Sequence, residues 1–116
     1  IIKETILEQK NKDRVLLSSA DEAIISFGKK NEIASFFLGV TEKDFIQIEE
    51  KQIEINKQAI ALENLLAETN DTENKTLLEE EIKKLKSKSE SIDSFKEEQR
   101  NKFSLLGWLK KLFGNS

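Results

Sequence analysis

Three neighbouring carboxylates, Glu79, Glu80 and Glu81, are the densest group of side chains in this chain that could do chemistry. Clustered carboxylates bind metal ions or transfer protons. A helix has 3.6 residues per turn, so three consecutive side chains point in different directions and do not converge on one ion. We therefore interpret the run as a solvated helix face. The sequence predicts no metal site and no catalytic residue here.

The missing residue types restrict the chemistry further. The chain has no His and no Cys, so it lacks the commonest general base and the only thiolate nucleophile. No Gly-rich phosphate loop, nucleophile elbow or nucleophile–base pair occurs in the sequence. A Ser–Lys dyad is the one catalytic arrangement that the composition leaves open. We predict a protein that is not an enzyme and that uses no cofactor.

A nucleic-acid partner is not expected either. The formal net charge is -3, and the only arginines are Arg14 and Arg100. The basic cluster at Lys83, Lys84, Lys86 and Lys88 could contact phosphates, but no side chains suited to reading bases accompany it.

The C-terminal segment is the best candidate for a contact surface. Its large apolar residues share a face beside two lysines, a composition typical of amphipathic helices. The candidate contact residues are Phe103, Leu105, Trp108, Leu109, Lys110, Lys111, Leu112 and Phe113. Three occupants of this face are open: the rest of the bundle, a partner protein or second copy, and a membrane interface.

Helical periodicity covers the elements that would position these residues. Ser19 with Glu22 forms a capping box that predicts a helix start, although one long N-terminal rod stays open as an alternative. Further along, apolar residues recur at steps of three and four. The two series are Phe45, Ile48, Gln52, Ile55, Ala59, Leu62 and Leu66, then Leu78, Ile82, Leu85, Ile92, Phe103 and Leu106, the second interrupted by Ser89, Lys96 and Gln99.

A short polar turn joins these two periodic segments. Asn70, Asp71 and Thr72 have side chains that cap a following helix, so the segments form an antiparallel hairpin. Gln52 and Ser89 are polar residues on the opposing apolar faces, where they either set the register or occupy wetter positions. Ile46, Ile53 and Ile60 form a second apolar row, which favours more than one neighbouring helix.

These patterns together predict one all-α domain over residues 1–116. The architecture is a bundle of four to five helices built on a long antiparallel helical hairpin. The predicted helices cover approximately residues 2–17, 19–38, 42–69, 73–104 and 105–113.

The composition also resembles that of a known group of proteins. A chain rich in Lys, Glu, Asn and Ile, with segments such as Ile1-Ile2-Lys3-Glu4-Thr5 and Ile53-Glu54-Ile55-Asn56-Lys57, resembles the small all-helical plasmid-encoded surface lipoproteins of Borrelia spirochaetes. The resemblance implies a lipid anchor at a Cys upstream of Ile1, display at the cell surface, and binding of a protein partner, with a host protein as one candidate. Because the first residue is Ile1, we expect a mature or trimmed product.

The resulting hypothesis is a non-enzymatic, surface-displayed or exported bacterial interaction protein. One alternative is a phage- or plasmid-encoded accessory protein, on the cytoplasmic side, that touches a membrane through residues 103–113. The other is a self-assembling coiled-coil scaffold, in which the chain forms a homo-oligomer.

Overall fold

The chain folds as an all-α protein, and its described residues form three helices. The structure is a computed structural model that describes the backbone of residues 2–37 and 42–114 and the side chains of residues 4–28 and 45–101. Within those residues no strand occurs, and the predicted all-α class is confirmed. The helices are α1 (Ile2–Phe37), α2 (Glu42–Ala67) and α3 (Thr72–Gly114). The predicted count of four to five helices is not confirmed.

The first difference lies in α1, which runs unbroken through Ser19. The predicted boundary between residues 17 and 19 is absent, and the alternative of one long rod describes the helix. A seven-residue repeat continues across this point, because Ile6, Asp13, Ala20 and Phe27 are all buried. A break at Ser19 would rotate the second half of this repeat away from the core, so packing outweighs the capping box.

The second difference lies in α3, where the predicted short helix over 105–113 is part of one 43-residue helix. Gly107 stands in its interior, where a glycine costs roughly 1 kcal/mol against alanine without ending the helix. At 1.5 Å per residue, α3 is about 64 Å long.

The α2–α3 turn forms as the sequence predicts. The backbone N–H groups of Glu68 and Thr69 donate to the carbonyls of Leu65 and Leu66, at 3.2 and 3.1 Å. Asp71 then caps α3, since its side-chain Oδ2 accepts from the N–H of Asn74 at 3.2 Å.

Contacts between the helices show an up–down–up bundle. Gln52 on α2 reaches Asp93 on α3, whereas Glu63, further along α2, reaches Lys86, so these two helices are antiparallel. Gln58 on α2 contacts Gln9 on α1, whereas Phe45, earlier on α2, packs against Phe27, later on α1, so these two helices are antiparallel as well. The molecule is a rod with extents of 68 × 19 × 15 Å.

The core runs along the axis of the rod. Phe27 of α1 packs edge-on against Phe45 of α2 and Phe95 of α3, with ring centroids 6.5 and 5.4 Å away, so one aromatic cluster joins all three helices. The buried apolar residues are Ile6, Ala20, Phe27, Ile48, Ile55, Ala59, Leu62, Leu78, Ile82, Leu85 and Ile92. Most positions of the two predicted series are therefore in the core, and the predicted series on α2 packs within the chain. The side chains of Phe103 and Leu106, the last two positions of the second series, are outside those the structure describes.

Candidate functional site

The predicted C-terminal contact surface lies on the last turns of α3. The backbone there is helical to Gly114. The side chains of its candidate residues are outside those the structure describes. They are Phe103, Leu105, Trp108, Leu109, Lys110, Lys111, Leu112 and Phe113.

A concave surface lies between α1 and α2 and forms an open groove. It encloses about 680 Å³ and is open to solvent along its length. Mostly apolar atoms line it. The residues that contribute are Lys12, Val15, Leu16 and Ser19 from α1, and Lys51, Glu54, Lys57, Gln58 and Ala61 from α2.

Small side chains explain why α1 and α2 leave this space. Ser19 and Ala61 are too short to bridge the two helices. Val15 is 57% exposed, although it is one of the apolar residues of α1. Gln58 closes the inner side of the groove: it is buried, and its Nε2 donates to Gln9 Oε1 of α1 at 2.5 Å. The apolar side chains that line the groove, such as Val15, therefore have no neighbour from the same chain on their open side.

Charge on the rim of the groove is predominantly positive. Lys12, Lys51 and Lys57 lie around it, against one carboxylate, Glu54. Lys51 pairs with Glu54 at 3.6 Å, and this pair is partly exposed. Lys12 and Lys57 provide further positive charge on the two sides of the groove.

A buried polar layer lies directly behind the groove. Asp13 of α1, Gln58 of α2 and Glu81 of α3 are all buried, with Asp13 only 1% exposed. Neither oxygen of the Asp13 carboxyl accepts a hydrogen bond of good geometry from any described residue. Burial raises the pKa of this carboxyl from 3.8 to about 6; Gln58 opposes the rise, Glu81 adds to it, and Lys12 opposes it.

Sequence reasoning missed this layer. The interpretation of the whole Glu79–Glu81 run as a solvated face is wrong for Glu81, although Glu79 and Glu80 are exposed. The available signal was position: Asp13 is seven residues from both Ile6 and Ala20, and Glu81 is three and four residues from two buried leucines. A charged residue at a core position of a repeat indicates burial with a specific neighbour.

A second polar layer joins α2 and α3 around Gln52. The amide nitrogen of Gln52 donates to the Ser89 carbonyl at 3.0 Å and to Asp93 Oδ1 at 2.6 Å. Its amide oxygen accepts from Lys96 Nζ at 2.7 Å, and Lys96 lies 4.0 Å from Glu49. The predicted opposition of Gln52 and Ser89 is therefore observed, and both polar atoms of the Gln52 amide have partners.

Within the residues that the structure describes, no group of three or more acidic side chains is arranged to hold a metal ion. No helix in this part of the chain has the length and apolar character needed to cross a membrane.

Known proteins offer no relative from which a role could be transferred. Comparison with protein-family models, with curated proteins and with solved structures finds no match to this chain.

Proposed function

We propose that this chain is a non-enzymatic interaction protein whose α1–α2 groove binds an amphipathic helix of a protein partner. The supporting observation is the groove itself: an open apolar channel between two helices, with lysines on its rim. Binding of a helix in such a groove is a common mode of peptide recognition.

The dimensions suit a helix of two to three turns. The lining residues extend from Lys12 to Ser19 on α1 and from Lys51 to Ala61 on α2. At 1.5 Å per residue these stretches are about 10 and 15 Å long. A docked helix would place apolar residues at positions i, i+3 or i+4, and i+7 against Val15 and Leu16.

The charge on the rim indicates the sign of the partner's flanks. The lining residues include three lysines and one carboxylate, Glu54, which pairs with Lys51. The groove therefore favours a helix with acidic residues beside its apolar stripe over one with basic residues. Electrostatic complementarity of this kind speeds association and selects the partner, while the apolar contact supplies most of the affinity.

Valine methyl groups give a direct test by NMR. The chain has two valines, Val15 in the groove and Val40, so a valine-labelled sample gives signals from two residues only. The probe is a helical peptide of about four turns with leucines on one stripe and glutamates on both flanks. We expect saturable shifts of the Val15 methyl signals, and at least about tenfold weaker binding of a matched peptide with lysine flanks.

Two variants locate the binding. Val15→Glu places a charge in the groove and should abolish binding of the acidic-flanked peptide. Leu7→Glu is the matched control, because Leu7 is equally exposed on the same helix, at 58% against 57%, and lies outside the groove. Both variants should keep the wild-type circular dichroism spectrum. Equal binding of the two peptides, or equal loss in both variants, would refute the proposal.

Display at a bacterial surface is the location that we propose, and it rests on the compositional resemblance alone. Protease treatment of intact cells that produce the native gene product tests it. Digestion without cell lysis supports surface display, and protection until lysis contradicts it.

A further inference from the structure

An isoleucine row on α2 faces away from the bundle. Ile46, Ile53 and Ile60 are 48, 52 and 57% exposed, and they recur at intervals of seven residues. Each lies two positions before a buried residue of the core, namely Ile48, Ile55 and Leu62. Two positions correspond to about 200° around a helix, so the row is nearly opposite the core face. The row therefore does not serve the packing of α2 against α1 and α3.

The residues beside this row carry a specific pattern of charge. On one flank, Glu50 and Lys57 are exposed, three residues before and four residues after Ile53. On the other flank lie Glu49 and Asn56, at the matching positions. In an antiparallel two-fold pair with its axis at Ile53, a residue before Ile53 meets the residue at the same distance after Ile53 in the second copy. Opposite charges at nearly equal distances from Ile53 therefore match such an axis.

We infer that this face binds a second copy of the chain, with the two α2 helices antiparallel and the two-fold axis at Ile53. Ile53 then packs against its symmetry mate, and Ile46 packs against Ile60 of the second copy. Glu50 lies beside Lys57 of the second copy, with a difference in level of about 1.5 Å along the helix axis. Symmetry repeats this ion pair on the other side of the axis.

Charge around Ile53 favours the antiparallel arrangement over the parallel one. In a parallel two-fold pair, opposite flanks meet, so Glu50 would face Glu49 of the second copy and Lys57 would face Asn56. In the antiparallel pair, like flanks meet, so Glu50 faces Lys57 and Glu49 faces Asn56, whose amide can donate to the carboxylate. Charged residues that flank an apolar row set helix orientation in this way in coiled coils.

The same flanks disfavour a membrane surface as the occupant. Helices that lie in a bilayer interface carry basic residues beside their apolar face. Among the described side chains, the isoleucine row has Glu49 and Glu50 close to its centre and Lys57 as its basic neighbour. The row also lies outside the α1–α2 groove, apart from Lys57, so self-association stands independently of the proposed peptide binding.

Charge reversal combined with mixing gives a sharp test. The measurement is the molar mass of the full chain by sedimentation equilibrium, from about 10 µM to about 1 mM. Wild type should move from monomer to dimer with rising concentration. Glu50→Lys and Lys57→Glu each create two like-charge contacts and should weaken dimerisation at least about tenfold. An equimolar mixture of the two variants restores both ion pairs and should dimerise as wild type does.

Three controls make each outcome decisive. The double variant E50K/K57E exchanges the charges and should dimerise, whereas Ile53→Glu places like charges at the two-fold axis and should remain monomeric. Glu90→Lys, an exposed charge reversal on α3, should leave dimerisation unchanged. A wild-type chain that stays monomeric throughout, a dimer indifferent to the single reversals, or a mixture that fails to associate would each overturn the inference.

Discussion

Gln52 and Asp13 are both buried polar residues between helices, but their surroundings are opposite. The Gln52 amide donates to Ser89 and Asp93 and accepts from Lys96, so its donor and its acceptor are both used. The Asp13 carboxylate is an acceptor only, it receives no well-formed hydrogen bond from the described residues, and another carboxylate, Glu81, is close to it. The Gln52 amide thus has partners for both of its polar atoms, whereas Asp13 has none among the described residues, although Gln58 donates to Gln9 and Glu81 pairs with Lys84 at 3.7 Å.

This difference shows that burial alone does not tell whether a polar residue stabilises a bundle. An amide offers both donors and an acceptor, so it can link a carboxylate to an ammonium group. Two carboxylates can share a hydrogen bond only if one of them carries a proton. We therefore expect the Gln52 layer to stabilise the fold at neutral pH and the Asp13 layer to destabilise it.

The largest expected effect is the loss of the Gln52 amide. Gln52→Ala leaves Asp93, Lys96 and the Ser89 carbonyl without their shared partner, and it should lower the free energy of unfolding by about 3 kcal/mol. Urea denaturation followed by circular dichroism measures this. Gln47→Ala, an exposed glutamine on the same helix, is the control and should change the free energy by less than about 0.5 kcal/mol.

A substitution at Asp13 is expected to raise the free energy of unfolding. Asp13→Asn removes the buried charge and supplies an N–H group that can donate to Glu81, so it should raise the free energy of unfolding by about 2 kcal/mol at pH 8. The matched control is Glu80→Gln, which neutralises an exposed carboxylate next to Glu81. If Asp13→Asn destabilised the protein as much as Gln52→Ala, the contrast between the two layers would be lost.

The pH dependence of this gain follows from the raised pKa. The folded chain holds the Asp13 proton up to about pH 6, whereas the unfolded chain loses it near 3.8. The folded state thus binds more protons between these values, and the contribution of Asp13 to stability becomes more favourable as the pH falls. The difference in the free energy of unfolding between Asp13→Asn and wild type should therefore reach its full value above pH 6 and shrink towards zero by about pH 4. A difference that stays constant over this range would contradict the raised pKa.

The smallest effect is expected for an exposed ion pair between α2 and α3. Lys86 Nζ lies 2.6 Å from Glu63 Oε1, but the two side chains are 60 and 43% exposed. Lys86→Ala should change the free energy of unfolding by less than about 0.5 kcal/mol, because water already solvates both charges. If Lys86→Ala lowered the free energy of unfolding as much as Gln52→Ala, the presence of a partner, and not burial, would control the energy of these contacts.

Local sequence was enough to predict the hairpin of α2 and α3. Steps of three and four identify the core positions Ile48, Ile55 and Leu78 without reference to neighbours, because the helical period fixes which side chains share a face. Asp71 at the turn is likewise a local signal, since its side chain caps the helix that begins right after it.

Local sequence failed where packing decides. The capping box at Ser19 is a valid start signal worth about 1 kcal/mol, but burial of Ala20 and Phe27 in register with Ile6 outweighs it. The α1–α2 groove was missed for a related reason. A groove such as the one beside Val15 exists only between two helices, so neither helix shows it alone.

The sequence by itself determined that the chain is helical, where its main turn lies and which residues of the hairpin form the core, because periodicity and capping act within a few residues along the chain. The tertiary structure decided that residues 2–37 and 42–114 form three helices, that Glu81 meets Asp13 inside the bundle, and that the isoleucine row of α2 faces outward. Those features depend on which helix lies next to which, and that choice is made by burial summed over the whole bundle and not by any local signal.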